Sequence, residues 1–111
     1  MYLRIIHGKL KPGAWNDFEA AYMKAMAEAG AVHGLCGRWL TRDLDDPDAG
    51  TSISLWASVE DLDAYEKSEL LKSRIQPRLT PFFSGDYRTT KSRVQHAEGD
   101  PSPGEWVGSD N

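Results

Sequence analysis

Several residues in this chain have side chains suited to chemistry on a small molecule: the imidazole of His7, the hydroxyls of Ser52 and Ser54, the phenols of Tyr22 and Tyr65, and the indole of Trp56. His7 titrates near neutrality when unperturbed, so it can act as a base or a hydrogen-bond partner. Ser52, Ser54 and Trp56 recur at every second position of "SISLW", which places them on one face of a strand. A large indole can orient a planar substrate, and neighbouring hydroxyls can hydrogen-bond its oxygens. Trp15, Phe18, Tyr22 and Tyr65 are expected to roof this space, and Arg38 could reach an anionic substrate. A mostly apolar space with a few convergent polar groups is the usual form of a small-molecule site. Each residue also has a plainer role open to it. His7 could be a hydrogen-bonded structural histidine, Trp56 and both tyrosines could be core, and Arg38 could be solvated or paired.

The other reactive side chains form no recognisable centre. His7, His33 and His96 are widely spaced and none sits in a ligand pattern, so the sequence predicts no metal site. It contains no GxSxG, phosphate loop or dinucleotide fingerprint, and no cofactor is expected. "GLCG" at Gly34 to Gly37 reads as a flexible strand start. Cys36, the single cysteine, lacks a visible base and is expected to be a buried structural thiol. Asp45 and Asp46 read as solvated loop carboxylates.

The elements that must position these residues follow from periodicity. Tyr2 to Leu10 reads as a strand, with Leu3, Ile5 and His7 toward the helices and Tyr2 and Ile6 on the opposite face. Trp15, Phe18, Tyr22, Met26 and Ala29 form a helical stripe that should stop at Gly30. Leu35 to Arg42 and Thr51 to Ala57 read as strands joined by the loop "DLDDPDAG". Ser58 with Asp61 suggests an N-terminal cap, and Ser68-Glu69 a second one. Pro77 is expected to end regular helix, and Gly85 to Val94 reads as the last strand. This order predicts an α+β, ferredoxin-like βαββαβ fold with a four-stranded antiparallel sheet and both helices on one face. The other sheet face also carries large apolar residues, Ile53 and Leu55 among them, and needs a cover. A homodimer packed sheet to sheet supplies it.

At 111 residues the chain is one domain, with 1–94 as its body and 95–111 as a disordered acidic tail carrying Trp106. Thirteen basic and seventeen acidic residues give a formal charge of −4, and the imbalance comes from Glu98, Asp100, Glu105 and Asp110 in the tail. A neutral body without a basic stripe argues against a nucleic-acid partner. No apolar run is long enough for a membrane span, and a lone cysteine fits a reducing cytoplasm.

"IIHGKLKPGAWNDFEAAY" followed by "SISLWASVEDLDAYEKSELLKSRIQP" resembles the antibiotic biosynthesis monooxygenase (ABM) family of dimeric α/β barrels, over Tyr2 to Val94. Its most specific elements are a strand-ending Trp followed by S-x-E-D-L-x-A-Y-x-x-S, and the K-P-G-x-W helix entry. The resemblance implies a barrel-closing dimer. It also implies one of several activities: cofactor-free oxygenation of phenolic or anthrone-type polyketides, haem degradation, or none known. In the haem degraders a polar residue on strand one, a Trp ending strand three and a helix His form the site. Here His7 occupies the strand-one position, where the haem degraders have Asn, and Trp56 matches the Trp, whereas the helix histidine falls near Ile75, which cannot ligate iron. The leading expectation is thus a cofactor-independent monooxygenase that uses O2 on a small aromatic phenol, hydroquinone or anthrone, with His7 and Trp56 catalytic. The alternative is a non-enzymatic small-molecule-binding barrel, with haem binding behind it.

Overall fold

The computed structural model describes residues 1–99. The elements run Tyr2–Lys9 (β1), Trp15–Ala29 (α1), Leu35–Arg42 (β2), Ala49–Trp56 (β3) and Val59–Lys67 (α2). A π-helical turn over Leu70–Ile75, a short helix Gln76–Leu79 (α3) and a 3-10 turn Thr80–Phe82 lead to Arg88–Arg93 (β4). The strands form one antiparallel sheet in the order β2-β3-β1-β4, the ferredoxin-like arrangement. Residues 95–99 have no regular structure, and Trp106 lies outside the described residues.

Local sequence explains the boundaries. Buried Trp15, Phe18, Tyr22 and Ala25 recur every three or four residues along α1, so one stripe of the helix faces the sheet. Gly30 ends it with φ 65°, a left-handed conformation that costs glycine little. At the start of α2, Ser58 Oγ accepts the Asp61 backbone N–H at 3.1 Å and donates to the Asp61 carboxylate at 2.8 Å. Ser68 Oγ caps the next segment by accepting from Leu71 N–H at 3.2 Å.

Pro77 does not end the helical path as expected. The widened turn before it lets Gln76 N–H donate five residues back to Leu71 O, and Pro77 then sits in the first turn of α3. A proline is tolerated there because that N–H would be unpaired anyway. The last strand is also shorter than Gly85 to Val94. Cys36 is exposed, not buried: it is the extra residue of a bulge between Leu35 and Gly37, which takes it out of the ladder's alternation.

The largest correction concerns the phase of β1. Tyr2 lies opposite Trp56, Leu3 opposite Leu55, Arg4 opposite Ser54 and Ile5 opposite Ile53. Directly opposed residues share a face, so Tyr2, Arg4 and Ile6 join Ser52, Ser54 and Trp56 under the helices. Leu3, Ile5 and His7 instead join Ile53 and Leu55 on the open face. There Met1, Leu3, Trp39, Ile53, Leu55 and Val94 line an apolar groove of about 480 Å³. Under the helices the core divides in two. One cluster gathers Trp56, Leu62, Tyr65, Leu71 and Ile75; the other gathers Leu10, Trp15, Phe18 and Tyr22.

Candidate active site

A cavity of about 70 Å³ lies where the two core clusters meet, between the sheet and the helices. Phe18, Tyr22 and Met26 of α1 and Tyr65 of α2 form part of its wall. Arg4 and Ile6 of β1 and Ser52 and Ser54 of β3 form its floor. Leu71, Ile75 and Leu79 close it from the π-helical turn and α3, a segment whose irregular hydrogen bonding is a frequent mark of functional sites.

Several of the polar groups in this space are arranged in pairs. The Tyr22 hydroxyl lies 3.3 Å from Ser52 Oγ. Burial pushes the Tyr22 phenol above its ordinary pKa, with the Ser52 hydrogen bond and the Arg38 charge opposing that rise. Burial raises Tyr65 in the same way, against the charges of Arg38 and Arg4. Both phenols therefore stay neutral and can donate hydrogen bonds at physiological pH. Arg4, 8% exposed, donates from Nε to Glu66 at 3.0 Å and lies over the Tyr65 ring at 5.7 Å. Lys91 Nζ reaches the other Glu66 oxygen at 2.9 Å. Burial alone would raise the Glu66 pKa, but hydrogen bonds from Lys91 and Arg4 outweigh it and hold the carboxyl below the usual range.

The structure brings together Ser52, Ser54, Tyr22, Tyr65 and Phe18 of the residues expected from sequence. Arg38 sits at the edge of this group, its Nη1 against Met26 Sδ. Trp15 does not line this cavity. Its indole stacks on Gly50 in the neighbouring core, where Nε1 donates to Glu19 at 3.0 Å and Arg42 covers the ring at 5.1 Å. Trp56 is fully buried beneath the cavity, stacked on Tyr65 at 4.9 Å between ring centroids, with Nε1 donating to Ser54 Oγ at 2.9 Å. It supports the floor without lining the space.

His7 is on the opposite side of the sheet. Its side chain is 49% exposed and its Nε2 lies 3.5 Å from the Asp43 carboxylate in the β2–β3 loop. His7 and Trp56 therefore do not share a cavity. Arg4 is the functional candidate that sequence reasoning missed. The signal was available in β3: a floor carrying Ser52 and Ser54 is polar, and the matching phase of β1 is the one that contributes Arg4.

These residues do not suit a haem. Ile75, near which the resemblance puts a ligating histidine, is apolar, and no imidazole or thiolate lines the cavity. Its buried phenols resist the ionisation that iron ligation requires. Among the described residues no group of His, Cys, Asp and Glu could hold a metal ion, and no helix is long and apolar enough to cross a membrane.

Comparison with known proteins agrees with this architecture. A putative antibiotic biosynthesis monooxygenase from Nitrosomonas europaea superposes with a TM-score of 0.74 at 12% identity, covering 86% of this chain and 100% of that one. One from Bordetella bronchiseptica gives 0.69 at 18% identity, with 84% and 95% covered. A MhuD variant with two manganese protoporphyrin IX molecules bound per active site gives 0.75 at 17% identity, with 90% and 100% covered. At such identities these likenesses establish the fold alone. No curated protein matches the chain. The family model described as antibiotic biosynthesis monooxygenase matches residues 1–75, from β1 through α2 to the π-helical turn. The chain belongs to the antibiotic biosynthesis monooxygenase family.

Proposed function

We propose that the protein is a cofactor-independent monooxygenase that oxidises a small phenol, hydroquinone or anthrone-like substrate with O2 in the space between sheet and helices. The observation that carries this reading is a largely apolar cavity between sheet and helices, lined by Tyr22, which is paired with Ser52, and by Tyr65, whose ring lies under Arg4; burial keeps both phenols neutral. In such a site the substrate itself is the reductant. An anthrone methylene converted to a carbonyl releases four electrons, which reduce one O2 to one carbonyl oxygen and one water, so no outside electron donor is needed. Donors held in place stabilise the substrate oxyanion from which the first electron leaves, and they act more strongly in a dry site than in water. No imidazole faces the cavity, so the substrate proton goes to solvent before the site closes. A ring system enters as the segment from Leu70 to Leu79 opens, since a cavity of about 70 Å³ holds only a few waters.

Two copies joined through the open face would bury Leu3, Ile5, Ile53 and Leu55 and close the barrel; sedimentation velocity tests this, with a dimer expected. Oxygen uptake over a panel of anthrones and hydroquinones, without added flavin, haem or reductant, tests the reaction. We expect uptake by the wild type, a loss on Tyr22→Phe and little change on His7→Ala. Absence of uptake across the panel refutes the reaction, and full dependence on His7 refutes the location. The small cavity favours one competing reading, a non-enzymatic binder. For that reading the same panel would bind without consuming oxygen.

A further inference from the structure

The helix-facing side of the sheet carries charge that a packing core does not need. Arg38 lies opposite Ser54, Ser54 opposite Arg4, and Arg4 opposite Lys91, so three cations and one hydroxyl cross the sheet in a single row. Among the described residues the carboxylate hydrogen-bonded to this row is that of Glu66, with Asp63 near Lys91. Glu66 Oε2 accepts from Arg4 and Glu66 Oε1 from Lys91, which leaves nothing for Arg38. Arg38 Nη1 meets only the weak Met26 thioether, and Nη2 is buried with no hydrogen-bond partner among the described residues. Tyr22 and Tyr65 lie close enough to feel its charge. A guanidinium cannot shed its proton to relieve the cost of burial, and buried donors without acceptors are rare enough to need an explanation. Arg38 is therefore a fixed cation short of an acceptor, at the edge of a cavity lined with aromatic rings.

We propose that this row is an anion subsite and that the substrate binds as an oxyanion: a phenolate, an enolate or a carboxylate on an aromatic body. The anionic oxygen takes the free guanidinium edge of Arg38 beside Ser54, and the ring lies against Phe18, Tyr22 and Tyr65. Met26, unbranched and adaptable, is the side chain that gives way. This deepens the oxygenase reading and rests on it for the reaction, though not for the binding. It also offsets the cavity's lack of a base, because a site that binds the anion more tightly than the neutral form lowers the pKa of its ligand.

The test is a titration with para-nitrophenol, whose colour reports its ionisation, beside naphthoate as the carboxylate arm. Para-nitroanisole and methyl naphthoate are the neutral controls. The wild type is expected to prefer each anion over its neutral partner and to hold para-nitrophenol ionised below its free pKa. Arg38→Met should weaken both anions by about tenfold to a hundredfold, the range for hydrogen bonds to charged groups. It should leave the neutral controls unchanged, and Arg38→Lys should keep part of the preference. Whichever arm binds more tightly identifies the oxyanion. Equal binding of anion and neutral control by the wild type overturns the proposal without reference to any variant, as does an Arg38→Met variant that binds anions normally. Phenolate binding without oxygen uptake would remove the reaction and leave the subsite; uptake with no preference for anions would do the reverse.

Discussion

Replacing Ser54 by Ala separates the supporting role of Trp56 from a substrate-contacting one. Trp56 is fully buried, and its Nε1 has a 2.9 Å bond to Ser54 Oγ. Ser54 is itself only 8% exposed, so no water can replace the lost hydroxyl easily. Stranding a buried donor costs about 1–3 kcal/mol. In a domain of this size each kcal/mol lowers Tm by about 4–8 °C. The second Ser54 bond, to Arg4 O, is long at 3.5 Å and adds little. In a Trp56→Phe background the donor is gone, and Ser54→Ala should then be nearly neutral. A double-mutant cycle by urea unfolding is therefore expected to give a coupling of about 1–2 kcal/mol. Additive effects of the two changes would mean that the indole is not held by Ser54, and the floor of the cavity would have to be redrawn.

The acid limb of stability should depend on Glu66. Its carboxyl is held below the usual range when folded, so its stabilising contribution is present above the unfolded carboxylate pKa and lost as pH falls through the lower folded value. Glu66→Gln should thus be less stable at neutral pH and show a flatter acid limb in urea midpoints; an unchanged limb would contradict the Arg4–Glu66–Lys91 linkage. Gly50→Ala should destabilise by about 1–3 kcal/mol through overpacking. A methyl there would sit 2.3 Å from Thr41 O and 2.8 Å from the Trp15 ring. A normal urea midpoint for that variant would contradict the close approach of both Thr41 O and the Trp15 ring to Gly50.

Sequence periodicity is enough to derive the α1 stripe, the Ser58 cap and the succession of strands and helices along the chain, because each depends on residues within a few positions of one another. It also puts Ser52, Ser54 and Trp56 together under the helices, through strict alternation and the size of the indole. It fails at β1, where both faces carry large apolar residues and hydrophobicity cannot choose between them. Only the pairing of Leu3 with Leu55 and Tyr2 with Trp56 decides that phase, and pairing is a long-range property. His7 and Arg4 changed places in consequence, and the proton-accepting role expected of His7 lost its geometry. The π-helical turn before Pro77 was equally hidden, since a proline reads as a stop unless the preceding hydrogen bonds are known to widen.

The position of a bound aromatic tests the account most directly. A crystal structure with para-nitrophenolate or a non-oxidisable anthraquinone is expected to show the ring between the sheet and the helices, against Tyr22, Ser52 and Tyr65, with an oxygen toward Arg38. A ring bound on the open face, beside His7 or in the Trp39 groove, would contradict it.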